Sequence, residues 1–544
     1  MTATEPVQSL LADLARADIR IRLADDDLEV TAPAGTLSAA LRDRIVACKP
    51  DLVRWLAGAD SGPDHELPVV TANPSAADEP FALSDLQTAF LVGSAEGLEY
   101  HVRPHQYMEF DFPDFDVDRF MASVNRNLRR HRDDLVVLTE DIQLRRIETF
   151  TPLEARVHDL RGLPAATVEE ELTRLRASLR RRQLPIDRWP WFDIQISLRD
   201  HGQGRVHWNN NNFFTDGIGA SQFLKDIFAL YHDPDRRLPE LEVSFGDCVR
   251  TLAEMERSPL GTAARDYWLE RIPHWPDAPP IPLVTSGSQR ERSELSRREF
   301  VVPAQDWVAL TGRARERGLT PTTVMYAAYA QVVSTWSGSR HFLLNNMVTH
   351  RLPIHPQIGE VLGNFAALYP LEVDWRAEET FEARARRLRA QVDADVAHTH
   401  YSGVKVLQAL NQHRRTPGRA ACPYVISSGL SMGKFPRPTY SMLETPQVLI
   451  DCQFWEQSDG TVWVAWDVIE SMFPDGVIDA MHAAFQTVLH ELATDESAWL
   501  RTRFDLTPDD QLARRAELNA SPARATAGLL HDALGFRADS AGDR

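Results

Sequence analysis

Four consecutive amides, Asn209 to Asn212, run into Phe213-Phe214-Thr215-Asp216-Gly217 in this 544-residue chain. A buried amide needs hydrogen-bond partners, so a strand ending in four of them must emerge into a polar cavity or a polar network. An amide donates and accepts but carries no charge and cannot act as a base. Asp216-Gly217 reads as a turn, and Asp216 is placed to cap a helix from residue 219. Gly429-Leu430-Ser431-Met432-Gly433 has the spacing of a nucleophile elbow, which requires a strand before the serine and a helix directly after it. PYVISS supplies the strand, but KFPRPTY does not continue as a helix, so a hydrolase is rejected. His350 with His355, and His398 with His400, have no nearby metal-ligand carboxylates or cysteines, and the zinc spacing H-E-x-x-H is absent. They are expected to be surface or core histidines, with no metal. Neither a P-loop nor a dinucleotide fingerprint is present, so no nucleotide cofactor is implied.

The elements that must position these residues alternate between strand and helix. HQYMEFDF (105–112), WFDIQISL, RVHWNNNNFF, HFLLNNMVT, YPLEVDW, VLIDCQF and VWVAWDV have strand character, as does ETFTPLEARVHDL. Residues 116–132, 168–183, 219–233, 381–398 and 477–493 have helical spacing. This is a mixed α/β body large enough for two lobes. The arginine runs at 126–132 and 174–182 are expected to be solvated helix faces. Lys plus Arg is 59 against 78 Asp plus Glu, a net charge of −19, which argues against a nucleic-acid partner. Hydrophobic residues make up 43%, enough for an ample core. No apolar run reaches the ~18 residues of a membrane span, and the N-terminus lacks signal-peptide character. Cys48, Cys248, Cys422 and Cys452 are too scattered for a disulfide framework, and a reducing cytoplasm is expected.

Residues 1–58 read as helix, hairpin and two helices: a stripe of Leu10, Leu11, Leu14 and Ile19, strands IRIRL and LEVTA, then LSAALRDRIVACK and DLVRWLAG. Residues 59–78 are rich in Pro, Ala, Ser and Asp and read as a linker. The module, including its APAG turn and its K-P-D-L-V stretch, resembles the TubC-type docking domains at the N-termini of nonribosomal peptide synthetase subunits. That resemblance implies that the hairpin receives a C-terminal tail of an upstream synthetase protein, with Arg20 and Arg22 facing an acidic tail. The alternative is that both arginines are solvated strand residues.

A second resemblance covers roughly residues 80 to 500. N-N-F-F-T-D-G sits where condensation domains carry H-H-x-x-x-D-G and their heterocyclization subtype carries D-x-x-x-x-D. FALSDLQTAFLVG (81–93), NMVTHRLPIHPQIGEVLGNFAALYPLEVDW (346–375), YSGVKVLQAL (401–410), PYVISSGL (423–430), ETPQVLIDCQ (444–453) and WDVIESMFPDGVIDAM (466–481) resemble segments of the heterocyclization subtype. The resemblance implies an α/β fold. Two chloramphenicol-acetyltransferase-like lobes, here 79–245 and 246–502, form a V-shaped pseudo-dimer around a tunnel. Donor and acceptor peptidyl carrier proteins dock at its mouths and insert 4′-phosphopantetheine arms, and no cofactor is bound. The implied reaction joins a carrier-bound acyl or aminoacyl donor to carrier-bound Cys, Ser or Thr and closes a thiazoline or oxazoline with loss of water. Residues 503–544 resemble the linker toward a downstream adenylation domain.

The same resemblance assigns roles. Asp451 and Ser427 match the carboxylate and hydroxyl of ring closure, Gln453 shares the strand face of Asp451, and Ser428 and Trp466 line the substrate path. Asn211 and Asn212 replace the first Asp of the motif and its neighbour; they either weaken a proton-transfer role or serve architecturally. Asp216 is expected to pair with Arg351. Three functions compete: condensation with cyclization, one of those steps alone, or a catalytically silent docking platform.

Overall fold

A computed structural model describes residues 67–284, 295–432, 434 and 437–520, and within the first 52 residues Leu10, Leu14, 20–24, 27–32, 37–49 and Leu52. The chain divides into two units, 1–503 and 504–544.

In the N-terminal module the strands Arg20–Ala24 and Asp27–Thr31 pair antiparallel, with Arg20 opposite Thr31 and Arg22 opposite Glu29. Ser38 caps the following helix, Ala39–Ala47, by accepting from the Leu41 amide. Leu10, Leu14, Ile45 and Leu52 form a small apolar core. Most of the expected last helix and residues 59–66 of the linker lie outside the described residues.

The body is built on two larger sheets. The first runs in the order Tyr440–Glu444, His105–Phe112, Gly204–Asn210, Phe192–Leu198 and Arg156–Asp159. The second runs Ser296–Val302, Val462–Val468, Ile450–Glu456, Tyr424–Ser428, His341–Thr349 and Ala366–Asp374. Helices Val117–Arg130 and Gly217–His232 pack against each other by the first sheet, and Pro321–Ser337 and Val477–Thr494 do so by the second. All seven residues of Gly204–Asn210 and of Val462–Val468 are buried, as central strands of covered sheets should be.

One strand changes sides. Tyr440–Glu444 follows the second sheet's Tyr424–Ser428 in sequence but pairs antiparallel with His105–Phe112 of the first, Tyr440 opposite Glu109. Residues 440–444 fall within the stretch 246–502 expected as the second lobe, yet they extend the five-stranded sheet whose other strands come from residues 105–210.

The arginine runs are a correction in part. Arg176 makes a bidentate pair with buried Glu109, at 2.7 Å for both bonds. Arg130 bonds Asp226 and Glu360, and Arg126 bonds the carbonyls of Pro234 and Arg236. These side chains tie elements together, while Arg129, Arg132, Arg174, Arg181 and Arg182 are exposed, as expected of a solvated face. Of the stretch 148–160, only Arg156–Asp159 is a strand. In the second unit, Asp509–Asn519 is a helix with no buried residue, and residues 521–544 lie outside the described set. Among the described residues no helix is long and apolar enough to cross a membrane.

Candidate active site

The amide run ends the strand Gly204–Asn210 and turns into the helix Gly217–His232. Its side chains are taken up by hydrogen bonds within the turn and to neighbouring segments. Asn209 accepts from His105 Nε2 at 2.5 Å and donates to the Leu179 carbonyl at 3.1 Å. Asn211 Oδ1 accepts from the Phe213 amide at 2.9 Å, and its Nδ2 donates to the Leu184 carbonyl at 3.3 Å. Asn212 Oδ1 accepts from Asn210 Nδ2 at 2.9 Å, while its own carbonyl accepts from Asn364 Nδ2 at 2.8 Å. The amide of Gln87, on the helix Asp85–Gly93, donates to the Phe213 carbonyl at 3.0 Å. Of the alternatives open from sequence, this geometry matches the polar network.

Asp216 caps its helix through the Gly219 amide at 2.8 Å. Its other oxygen accepts from the Phe365 amide at 2.9 Å and pairs with Arg351 Nη2 at 2.8 Å. Arg351 also donates to the carbonyls of Ile358, Val361 and Gly363, and lies over the Phe365 ring with its guanidinium carbon 4.4 Å from the centroid. A carboxylate satisfied by this many donors is an anchor and has no free lone pair directed at a substrate.

The second cluster lies on one face of the six-stranded sheet. In the strand Ile450–Glu456, Asp451, Gln453 and Trp455 alternate onto the same face. Asp451 is opposite Asp467 and Val425, and Gln453 is opposite Ala465 and Ser427. Ser427 is therefore diagonal to Asp451 on that face, on the adjacent parallel strand. Asp467 is tied to Arg297, Nε to Oδ1 at 2.8 Å with a second bond from Nη2, and accepts from Gln453 Nε2 at 3.2 Å. Arg297 Nη1 reaches Ser441 Oγ at 2.8 Å, on the strand that belongs to the first sheet. Oδ1 of Asp451 is buried with no hydrogen-bond partner. Burial, reinforced by the nearby Asp467 charge, pushes the Asp451 carboxyl up from 3.8 to about 7. A carboxyl so poised can both give and take a proton near neutrality.

Two expected path residues lie elsewhere. Trp466 is opposite Cys452, one step out of register with Asp451, and so faces the other side of the sheet. There it packs, fully buried, on Tyr329, Phe485 and His482, which makes it a core residue. Ser428 bonds Thr322 Oγ1 at 3.2 Å, at the start of the helix Pro321–Ser337, which lies on that other side. Sequence reasoning missed Asp467, Arg297 and the stacked pair Trp455–Trp463, whose ring centroids are 4.9 Å apart on the Asp451 face. The alternation of VWVAWDV would have found Asp467 and Trp463 once Asp451 was fixed.

The rejected motifs are also placed. Among the described residues between Tyr424–Ser428 and Tyr440–Glu444, the chain forms the short 3-10 turn Leu430–Met432 and no helix. His350 is pushed down to about 3 by burial, aided by His400, as an uncharged core histidine is. His398 stacks on Tyr267, with centroids 3.8 Å apart. Burial pushes the Cys248 and Cys422 thiols up to about 12 and Cys452 well above its ordinary value, so none is a nucleophile at neutral pH. Among the described residues no group of three or more His, Cys, Asp or Glu side chains could hold a metal.

Residues 82–421 match the family described as the condensation domain. The chain belongs to the condensation-domain family. Ahead of this condensation domain, residues 7–57 match the TubC N-terminal docking domain. The condensation-domain chain is 33% identical over 480 residues to phenyloxazoline synthase MbtB of Mycolicibacterium paratuberculosis, covering 85% of this chain and 40% of that protein. It is 33% identical over 486 residues to pyochelin synthetase PchF of Pseudomonas aeruginosa, covering 87% of this chain and 26% of that protein. The condensation domain thus spans well under half the length of these relatives. Among solved structures it is similar to the EpoB nonribosomal peptide synthetase cyclization-docking bidomain from Sorangium cellulosum, with a TM-score of 0.74 and 28% identity, over 91% of this chain and 99% of that one.

Proposed function

We propose that this condensation domain joins a carrier-bound acyl or aminoacyl donor to a carrier-bound Cys, Ser or Thr and then closes a thiazoline or oxazoline. In the first step the acceptor amine attacks the donor thioester: a C–N bond forms, the C–S bond breaks and the donor pantetheine thiol is freed. In the second, the acceptor's side-chain sulfur or oxygen attacks the new amide carbon. The former carbonyl oxygen then departs as water, and a C=N bond remains. Asp451 is the proton-transfer group, Ser427 the hydroxyl that orients the tetrahedral carbon, and Gln453 a holder of the amide. Substrates arrive on phosphopantetheine arms of peptidyl carrier proteins, and the chain itself binds no cofactor. The observation that carries the reading is the buried, unpartnered Asp451 oxygen on the sheet face shared with Ser427. The similarity to a cyclization-docking bidomain over nearly all of both chains supports it.

The decisive experiment loads the acceptor carrier with cysteine, adds a loaded donor carrier, and reads intact carrier mass. The summed mass less one further water is expected. The linear mass alone would reduce the reaction to amide formation, whereas the replacement of the first motif carboxylate by Asn211 beside intact Asp451 and Ser427 favours the other one-step reading, ring closure retained with condensation altered. No transfer with several donor and acceptor pairs would leave a silent platform. The N-terminal module is proposed to receive an acidic C-terminal tail of an upstream synthetase through Arg20 and Arg22. Deletion of residues 1–58 should then weaken transfer from that partner and leave the reaction unchanged at saturating donor. A downstream adenylation domain is the proposed neighbour of residues 503–544. The lobe limits 79–245 and 246–502 and a cytoplasmic setting belong to the same proposal.

A further inference from the structure

Asp451 and Asp467 stand directly opposite each other on paired antiparallel strands, and both are buried, at 1% and 0% exposure. Side chains so placed have Cβ atoms roughly 4.5–5.5 Å apart. Two carboxylates at that distance in a dry site do not both ionise freely unless cations match them. One cation is at hand, and it is committed. Arg297 lies opposite Asp467 on the next strand and binds it with two nitrogens, while its third reaches Ser441. Asp467 also accepts from Gln453 and from the Leu443 backbone. Its oxygens are well supplied with donors, whereas Asp451 Oδ1 has none.

The other charges facing the pair from the neighbouring strands are acids, and each has a basic neighbour of its own: Arg437 binds Glu299, and His105 lies 3.7 Å from Glu444. On the Arg297 strand the further acid is Glu299, and on the strand Tyr440–Glu444 it is Glu444, whose charge raises Asp467. On the opposite face of the sheet, Cys452 of Asp451's own strand and Tyr329 of the helix Pro321–Ser337 are kept in their neutral forms by burial and bring no charge to the pair. The trio of Arg297, Asp467 and Asp451 is electroneutral with Arg297 charged, Asp467 ionised and one proton on Asp451.

We propose that Asp467 is a positioning residue for ring closure: with Arg297 it holds the anionic charge of the pair and leaves Asp451 as the neutral acid. This rests on the reading of Asp451 as the proton-transfer group. Asp451 then enters each half of cyclodehydration as a donor. As the side-chain sulfur or oxygen attacks, Asp451 gives its proton to the amide oxygen and recovers one from the attacking S–H or O–H. In the second half it gives that proton to the departing hydroxyl, which leaves as water, and recovers one from the ring N–H as C=N forms. The carboxyl begins and ends each half protonated, and no other reactant is needed.

The test reads the proton without relying on turnover. Infrared titration of the whole chain should show the carbonyl band of a protonated, buried carboxyl persisting toward neutral pH, and Asp451→Asn should remove it. Asp467→Asn deletes the like charge and frees Arg297. It should move the titration of that band to lower pH by a unit or more, a tenfold or greater change in proton affinity, and the alkaline limb of ring formation should move with it. Asp467→Glu should restore both. Absence of the band in the unmodified chain at weakly acidic pH would overturn the proposal, and so would a band whose midpoint does not move in Asp467→Asn. If Asp467→Asn does not fold, the unmodified chain and Asp451→Asn still decide whether the carboxyl carries the proton. Since the band is independent of product, a chain that makes no ring but shows it would refute the ring-forming reading and leave the charge arrangement standing.

Discussion

Arg351 and Asp216 meet at 2.8 Å although 135 residues separate them in the chain. The pair clasps the turn after the amide run to the loop 351–365. Arg351 also holds three carbonyls of that loop, and Asp216 caps the helix that follows the turn. Replacing Arg351 by Met strands a buried carboxylate and removes the donors to those carbonyls. The expected loss is about 3–5 kcal/mol in urea unfolding. Lys at this position should recover only part of it, because a point charge cannot reproduce the guanidinium fork.

Asn211→Asp tests whether the position wants a charge. Its Nδ2 now donates to the Leu184 carbonyl, and a carboxylate would set oxygen against oxygen. The expected result is a destabilisation of about 1–3 kcal/mol with no faster amide formation in a single-turnover carrier assay. A rise in condensation rate would show that the motif carboxylate has a chemical use here.

Asp451→Asn should separate stability from activity. The folded carboxyl titrates at about 7, above its ordinary 3.8, so folding takes up a proton between those values. Its cost to the fold is absent below the lower value and grows as pH rises toward and through the upper one. The amide variant should therefore gain on the order of 2–4 kcal/mol above neutral pH, and the gain should vanish near pH 4. Thermal melts at the two pH values read this, and intact carrier mass should show linear product without ring.

Gly429→Ala should disturb the aromatic pair on the sheet face that carries Asp451. A Cβ there would meet Trp455 Cδ1 at 1.9 Å, and Trp455 stacks on Trp463. A cost of about 1–3 kcal/mol is expected, with a change in tryptophan fluorescence that marks the displaced indole.

The site was legible where a motif carries its own geometry. Asp216 before a helix is enough to expect a cap, while its ion pair with Arg351 in H-R-L-P is what the resemblance to condensation domains implies. Whether Asn211 is chemical or architectural was not legible, because the answer lies in the Leu184 carbonyl, which no spacing reveals. Trp466 was misplaced for a parity reason. It sits one residue from Asp467, and only the register with Cys452 turns it toward the helices. Arg297 had no motif at all: it is 170 residues from Asp467 and is brought there by strand pairing. The helix Pro321–Ser337 went unread because it is buried through Thr323–Val333, and an element apolar on every side has no stripe to detect.

The strand Tyr440–Glu444 limits how this enzyme can be recombined. Without it, His105–Phe112 would become a bare sheet edge, open to pairing with other chains. Its Ser441 is also the far anchor of Arg297. A chimaera that exchanges residues 79–245 alone would graft a foreign sheet onto a native edge strand and change the outer contact of the carboxylate pair in the same stroke. The transferable piece is discontinuous: the first lobe together with a five-residue graft taken from the second.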